Sequence, residues 1–268
     1  VPQEWTVTGD VVKDESGGSV PSQRLSTGEL AFLATDVAAL GAKRFTVHPG
    51  KPGAPASAAL KSVAAVDGHT LSAGALKVTI EPGTGAIAAL MWNDHNFVKN
   101  GAQNEPLLND YFYVAGRKPT DPQRNGPASI QVRETGPLVA SVVITSTAPG
   151  CNTLERELSV LAGCDRLDIA NTVDKQNIYD PEGVHFAFPF DVPEGVVRMD
   201  IPWAVARAET DQLPGACKNY FTVQRWVDVA NDALGVTLAT IDAPLVEVGR
   251  IACDPTAVGW IEHLEPSQ

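Results

Sequence analysis

Short runs of alternating apolar and polar residues, separated by turn-forming residues, recur along most of this chain of 268 residues. Such alternation is typical of β-strands that bury one face. The sequence contains 20 prolines and 23 glycines, scattered at turn-like spacings and without a collagen-like period. No segment shows a convincing helical period. The pattern therefore predicts an all-β protein with many short antiparallel strands.

The segment Leu76–Leu90 gives the clearest hairpin signal, because alternating residues lie on both sides of the turn sequence EPGTG. Comparable strand-like runs precede and follow it. They are Glu4–Val7, Leu30–Ala34, Lys43–Val47, Asp110–Val114, Ala128–Glu134, Leu138–Ser146, Thr153–Val160, Arg166–Val173, Val184–Phe190, Val196–Pro202, Phe221–Val229, Gly235–Ile241 and Val246–Ile251. Their number and spacing predict a large antiparallel two-sheet sandwich.

The stretch HPGKPGAPA, His48–Ala56, is the strongest linker signal, with three prolines and two glycines. We therefore expect residues 1–50 to be part of a small β domain. Residues 51–268 are expected to form the large sandwich domain, with further strands of that domain beyond Gln268.

The formal net charge of −12 argues against nucleic acid or an anionic membrane as a partner, since both would require a basic surface. A neutral ligand such as a sugar is compatible with this charge. Hydrophobic residues make up 44% of the chain, and no apolar run approaches the length of a membrane span. We expect a soluble protein with a substantial core.

Four cysteines, Cys151, Cys164, Cys217 and Cys253, show neither CxxC nor His-rich spacing. We therefore do not expect a zinc site built from them. Independent thiols in a reducing compartment are the simplest interpretation, and this favours the cytoplasm. The sequence does not choose among the three pairings that four cysteines allow.

The segment Arg207–Gly249 predicts a ligand-facing loop. Its first half is polar and carries Asp211 and Gln212, and its second half alternates like paired strands. Polar loops held by a rigid sheet are frequent binding sites. We expect Asp211 and Gln212 to exchange hydrogen bonds with the hydroxyl groups of a ligand.

Glu155 and Glu157 lie on one face of a predicted strand, and Arg156 lies on the other. Paired carboxylates perform acid–base chemistry in glycosidases. A solvated strand face with exposed ion pairs is the commoner arrangement, and it is the one that we expect here.

Tyr111 and Tyr113 lie two residues apart, so both side chains fall on the same side of a predicted strand. Tyrosine combines a ring that stacks on a sugar with a hydroxyl that hydrogen-bonds it. We expect Tyr111 to lie on one sugar-facing edge with Asp211 and Gln212, with burial in the core as the alternative. For Trp226 we expect core packing.

Four runs, taken in order, resemble the C-terminal β region of glycoside hydrolase family 38, the α-mannosidase family. They are Val20–Val47, Leu76–Leu90, Pro181–Pro193 and Asp211–Asp228. The resemblance implies an all-β supersandwich domain like that of galactose mutarotase. It also implies that the parent protein is a retaining glycosidase, with a zinc-dependent α/β catalytic domain upstream in the same chain.

The family's catalytic motifs do not occur in this sequence, which has neither a His-x-Asp nor a His-His-Asp run. We therefore assign no catalytic and no metal-binding residue to the chain, and we expect zinc in the upstream catalytic domain. In relatives a tyrosine from the β region reaches towards the active site, and Tyr111 has the most similar surroundings. An arginine that relatives contribute later in the β region is expected beyond Gln268.

These observations favour the non-catalytic β-sandwich portion of an α-mannosidase-like glycosidase, which supports the catalytic domain and helps to bind an α-mannoside-type glycan. One alternative is a stand-alone carbohydrate-binding module that uses Tyr111, Tyr113 and the Asp211–Asn219 loop. Another is an aldose epimerase, in which His185 and a carboxylate partner exchange a proton with a sugar ring oxygen. Packing on a sheet face is the ordinary expectation for His185.

Overall fold

The computed structural model describes residues 1–5, 9–51, 62–99, 105–116, 122–208, 210–213, 216, 218 and 220–249. The strand pairs within these residues are antiparallel. The prediction of an all-β antiparallel sandwich is confirmed. No helix in the described part of the chain has the length and apolar character needed to span a bilayer.

The strands follow one another along the whole described chain. They are β1 (Val11–Asp14), β2 (Ser19–Val20), β3 (Ser22–Arg24), β4 (Leu30–Phe32), β5 (Phe45–His48), β6 (Ala64–Asp67), β7 (Thr70–Ala73), β8 (Leu76–Ile80), β9 (Ile87–Trp92), β10 (His95–Asn96), β11 (Asp110–Ala115), β12 (Gln123–Arg124), β13 (Ser129–Thr135), β14 (Val139–Ser146), β15 (Cys151–Leu161), β16 (Leu167–Lys175), β17 (Glu182–Ala187), β18 (Val196–Ile201), β19 (Ala204–Arg207), β20 (Tyr220–Thr222), β21 (Trp226–Ala230), β22 (Gly235–Ala239) and β23 (Leu245–Glu247).

The described part of the predicted strand Glu4–Val7 is helical instead. Gln3–Trp5 forms a 3-10 helix, because the backbone N–H of Trp5 donates to the carbonyl of Pro2 at 3.2 Å. That local bond closes a tight turn and replaces the ladder bonds of a strand.

The chain divides into two compact units. The first comprises Val1–His95, Gly126–Thr147 and Thr153–Asp174, and the second comprises Asn96–Asn125, Ala148–Asn152 and Lys175–Gln268. The domain boundary expected between residues 50 and 51 borders residues 52–61, which lie outside the described ranges, and it stays a prediction.

The first unit contains two larger sheets, with strand orders β10-β9-β8-β7-β6 and β13-β14-β15-β16. Strands β6 and β7 contact β14. Alternate positions of β7, β8 and β15 are buried, as period-two patterning requires, whereas residues 140–144 of β14 are all buried. These positions include Leu71, Val78, Ile80, Val142, Ile144, Leu154 and Leu158. The two sheets thus contact each other through β6, β7 and β14.

The predicted hairpin is confirmed as β8 and β9, joined by the turn at Glu81. The Glu81 carboxylate accepts the backbone N–H groups of Gly83 and Thr84 at 2.9 and 2.5 Å. Burial opposes the effect, but these donors hold the pKa of Glu81 below its usual value. Gly85 has a φ of 74°, and a Cβ there would lie 2.4 Å from Ile144 Cγ2. The turn therefore requires glycine at this position.

The N-terminal strands of the first unit are tied to β14 by one side chain. Gln23 Oε1 accepts the backbone N–H groups of Leu138 and Val139 at 2.8 and 2.9 Å. Its Nε2 donates to the Val139 carbonyl at 3.0 Å and to Glu134 Oε2 at 3.3 Å. The buried amide of Gln23 therefore hydrogen-bonds to the start of β14 in the way that a peptide group of a neighbouring strand would.

The second unit contains three sheets, with strand orders β12-β11-β17, β19-β18-β21-β22 and β20-β23. One core joins the last two of these sheets. It contains Met199, Ala208, Val223, Val227 and Val248, and the partly buried Phe221 and Val246 pack against it.

The predicted strand Phe221–Val229 is two strands, β20 and β21, because the chain bends between them. Asp200 Oδ1 accepts the backbone N–H groups of Gln224, Arg225 and Trp226 at 3.0, 2.8 and 3.0 Å. Burial acts in the opposite direction, but these three donors lower the pKa of Asp200. A side chain from β18 thus satisfies the N–H groups at the bend and ends the strand there.

Candidate functional site

Asp211 and Gln212 lie on a surface turn that follows β19. The backbone N–H of Arg207 donates to Asp211 Oδ2 at 2.8 Å, and its guanidinium Nη2 donates to Oδ1 at 3.0 Å. Through these bonds Arg207 lowers the pKa of Asp211. Gln212 Nε2 donates to the Arg207 carbonyl at 3.3 Å. Both predicted contact residues therefore hold the turn closed, and Asp211 stays exposed to solvent.

The same arginine belongs to the solvent-facing side of the sheet β19-β18-β21-β22. Cross-strand pairing places Arg207, Arg198, Asp228 and Thr237 in one row. In the neighbouring row Val205 pairs with Asp200, and Trp226 pairs with Ala239. The opposite side of the sheet carries the core residues Met199 and Val227. Trp226, expected in the core, is partly exposed and points away from it.

A histidine–carboxylate pair joins β17 and β23 elsewhere in the second unit. His185 Nε2 lies 3.1 Å from Glu247 Oε2. The Glu247 side chain is only 9% exposed, and neither of its oxygens accepts an aligned hydrogen bond within the described part of the chain. The half-exposed Tyr220 lies directly opposite Glu247 on β20. His185 thus has the carboxylate neighbour that proton transfer at a sugar would require.

Further charged groups lie on the same side of the sheet β12-β11-β17. Phe112 pairs in register with both His185 and Arg124. The Arg124 guanidinium lies 5.0 Å from the centroid of the Phe112 ring and forms an ion pair with Asp110 at 3.2 Å. A cross-strand row therefore runs through Arg124, Phe112 and His185. The contact of His185 with Glu247 continues this row to β23.

Tyr111 is buried, with an exposed fraction of 0%. Its hydroxyl donates to the carbonyl of Pro149 at 2.5 Å and lies 3.1 Å from Cys151 Sγ. Its ring packs edge-on against Phe186. Burial, with a further effect from the Cys151 thiol, raises the pKa of Tyr111. A wholly covered ring has no face on which a sugar could stack, so this structure gives the stacking prediction no support.

Tyr113 is also buried and belongs to a charged network. Its hydroxyl donates to Glu182 Oε2 at 2.6 Å, and Glu182 forms an ion pair with Lys175 at 2.6 Å. The bond to Glu182 raises the pKa of Tyr113 to about 12. Gly150 lies against this ring, since a Cβ there would be 2.4 Å from Tyr113 Cε2. Tyr113 is therefore a packed, hydrogen-bonded core residue.

The contacts of Tyr111 and those of the Asp211–Gln212 turn are made with different residues. Tyr111 contacts Pro149, Cys151 and Phe186, whereas Asp211 and Gln212 contact Arg207. Pro214, Gly215, Cys217 and Asn219 of the predicted loop lie outside the described residues. Asp211 and Gln212 stay predicted ligand contacts.

Glu155 and Glu157 form exposed ion pairs, as expected. Both carboxylates approach Arg133, at 3.7 and 2.5 Å respectively. Arg156 faces the core and is 0% exposed.

No group of three or more His, Cys, Asp and Glu residues in the described ranges could hold a metal ion. The zinc that the family resemblance implies is expected in the upstream catalytic domain, and that expectation stays a prediction. Cys151 and Cys164 are free thiols, and Cys217 and Cys253 fall outside the described ranges.

These features define an antiparallel β-sandwich protein with polar surfaces on its second unit. The chain belongs to glycosyl hydrolase family 38, because the model of the family's C-terminal domain matches residues 72–243. The recognition made from the four sequence runs is confirmed.

Two solved structures from Enterococcus faecalis are similar to the chain. One is described as a protein in glycosyl hydrolase family 38 and has a TM-score of 0.59 at 14% identity. The other is described as an alpha-mannosidase of strain V583 and has a TM-score of 0.58 at 14% identity. Each match covers 88% of this chain and 33% of the other. At this identity the likeness shows the fold, and the chain spans about a third of the length of these proteins. No curated protein sequence matched the chain.

Sequence reasoning does not identify Glu247 as the partner of His185. A usable signal exists, because the alternation Val246-Glu247-Val248 places a carboxylate on the face opposite two apolar residues. The contact with β17 depends on tertiary structure and has no local signature.

Proposed function

We propose that the chain is the non-catalytic β-sandwich portion of an α-mannosidase-like retaining glycosidase. The family match over residues 72–243 carries this proposal. The chain's roles are to support a catalytic α/β domain that lies upstream in the same parent protein and to contribute to glycan binding. The zinc ion and the aspartate nucleophile belong to that catalytic domain. The free thiols of Cys151 and Cys164 support a reducing, cytoplasmic location.

The proposed glycan contact is made by the Asp211–Gln212 turn and not by the ring of Tyr111. Asp211 is exposed, and Arg207 holds it in place by paired hydrogen bonds. An anchored carboxylate accepts hydrogen bonds from sugar hydroxyls without first losing side-chain freedom.

The test is to assay the hydrolysis of an aryl α-mannoside by three preparations. They are the chain alone, the protein encoded by the upstream region of its gene alone, and both proteins together. We expect no turnover by the chain alone, because it supplies neither nucleophile nor activated water. The two parts together are expected to be active and sensitive to a zinc chelator. Chelator-sensitive turnover by the chain alone would overturn the proposal.

A second candidate function, aldose epimerisation, is favoured by the 3.1 Å contact of His185 with Glu247. In this reaction Glu247 would accept the anomeric hydroxyl proton while protonated His185 donates one to the ring oxygen, so that the bond from the anomeric carbon to the ring oxygen breaks. Polarimetry of freshly dissolved α-glucose tests it. Rotation that equilibrates faster with the chain, but not with His185→Gln, would support it, and a rate equal to that in buffer would exclude it.

A further inference from the structure

We infer that the solvent-facing side of the sheet β19-β18-β21-β22 is a binding platform for a neutral, mannose-containing oligosaccharide, centred on Trp226, Arg198 and Asp228. The choice of a mannose-containing ligand rests on the proposed function. The platform uses a different sheet and different residues from the His185–Glu247 pair.

The aromatic part of the platform is Trp226. Its backbone is fixed, because its N–H donates to Asp200 Oδ1 at 3.0 Å. Its cross-strand neighbour is the small, exposed Ala239, which leaves room beside the indole. In the described part of the chain the indole N–H donates to no acceptor. A partly exposed indole offers a sugar both an apolar face and a hydrogen-bond donor.

The polar part of the platform is the row that contains Arg198 and Asp228. These two residues are paired across β18 and β21. Asp228 Oδ1 accepts the Thr237 hydroxyl at 2.7 Å, which fixes the carboxylate. The Arg198 guanidinium forms neither an ion pair nor a hydrogen bond with any residue that the structure describes. A fixed acceptor therefore lies beside a donor group that is available for a ligand.

The charges of this surface favour a neutral ligand over an ionic one. Arg198 and Arg207 are interspersed with Asp200, Asp211 and Asp228 in the two rows and the adjoining turn. An anionic ligand would meet three carboxylates, and the chain as a whole carries a formal charge of −12. Alternating donors and acceptors around an aromatic ring match the hydroxyl groups and apolar faces of a pyranose.

The β18–β19 hairpin, at one end of the sheet, carries a second aromatic residue. Trp203 lies at the tip of the β18–β19 hairpin, next to the Ile201–Ala204 pair. It is fully exposed and has a φ of 67°, a conformation that is uncommon for a bulky side chain. Exposed residues in such backbone conformations are often found at ligand-binding sites.

The experiment is a titration of the 15N-labelled chain with α-linked mannobiose, followed through the tryptophan indole signals. The chain has five tryptophans, and Trp226→Phe assigns the relevant signal. We expect a saturable shift of the Trp226 indole signal. Trp226→Ala and Arg198→Gln should each weaken binding by about tenfold, a loss typical of removing a central contact. Trp5→Phe, at an exposed tryptophan of the first unit, is the matched control and should leave binding unchanged.

Arg198→Gln guards the test against misfolding, because this side chain makes no bond with the described protein that its loss could break. A Trp226 signal that does not move or does not saturate would overturn the platform. Loss of affinity in Trp5→Phe that equals the loss in Trp226→Ala would overturn it as well. If mannobiose binding is absent while the two parts together hydrolyse the aryl α-mannoside, the platform falls and the proposed function stands. If binding occurs but the two parts together show no hydrolysis, the proposed function falls and the platform stands.

Discussion

His185 Nε2 and Glu247 Oε2 lie 3.1 Å apart, and this contact joins a strand of one sheet in the second unit to a strand of another. Strand β23 pairs only with β20 among the described strands, over three residues. The His185–Glu247 contact is therefore a second attachment for β23, independent of backbone pairing.

The first prediction is that His185 and Glu247 are energetically coupled. In a double-mutant cycle with His185→Gln and Glu247→Gln, we expect a coupling free energy of about 1–3 kcal/mol, as for contacting residues in one network. The measurement is the free energy of unfolding in urea for the four proteins of the cycle. The exposed pair Arg166 and Asp168, 2.9 Å apart, is the control and should couple by less than about 1 kcal/mol. A coupling of His185 and Glu247 no larger than the control would show that the contact is incidental.

The second prediction concerns Gln23. Gln23→Ala leaves the N–H groups of Leu138 and Val139 without their acceptor in a buried place. We expect the first unit to lose about 2–4 kcal/mol of stability, since each buried group left unpaired costs its desolvation penalty. Chemical denaturation monitored by circular dichroism measures this loss. Gln131→Ala, at an exposed position of β13, should change stability by less than about 0.5 kcal/mol. Equal effects of both substitutions would contradict the role assigned to Gln23.

The third prediction concerns Asp200 and pH. Because the folded-state pKa of Asp200 lies below its ordinary value of 3.8, its contribution is fully present above that value and is lost as the pH falls through the folded pKa. Asp200→Asn should therefore be less stable than the parent at neutral pH, with the difference shrinking in acid. Thermal unfolding at a series of pH values measures this. Asp232→Asn is the control and should show no trend, because the exposed Asp232 carboxylate accepts no hydrogen bond from the described residues. A difference for Asp200→Asn that is constant with pH would contradict the prediction.

The fourth prediction separates packing from ligand contact at Tyr111. Tyr111→Phe removes the hydroxyl that donates to Pro149 at 2.5 Å and should cost about 1 kcal/mol of stability. Binding of mannobiose should be unchanged, because the ring is covered. The two measurements are chemical denaturation and the indole titration. Weaker glycan binding with unaltered stability would show that Tyr111 reaches a ligand after all.

The antiparallel strands were accessible from the sequence because their signals are local. Alternation and the EPGTG turn predict β8 and β9, and the structure pairs these two strands antiparallel, with a β-bulge between Thr79 and Ile80. Arg156 is a second example, because alternation alone predicts that it lies on the other face of its strand from Glu155 and Glu157. Period-two patterning reports burial without any knowledge of the neighbouring strand.

The features that sequence reasoning misplaced depend on residues far apart in the chain. The continuous pattern of Phe221–Val229 is broken by Asp200, which lies 24 residues before Gln224. The sequence around Tyr111 is compatible with an exposed residue and with a core residue. In the structure its hydroxyl contacts Pro149 and Cys151, which are distant in sequence, and the side chain is buried. Glu247 and His185 are brought together only by the arrangement of sheets. None of these relationships leaves a periodic signal.

The amide of Gln23 has a consequence for how this protein can be cut and recombined. It provides the start of β14 with hydrogen bonds that come from the N-terminal segment. Consider a hybrid enzyme that inherits the sandwich from one parent and the N-terminal segment from another. The glutamine of one parent would then have to be positioned so that it hydrogen-bonds to the start of β14 from the other parent. Successful crossover points should therefore lie upstream of Gln23, so that the side chain and the edge that it completes are inherited together.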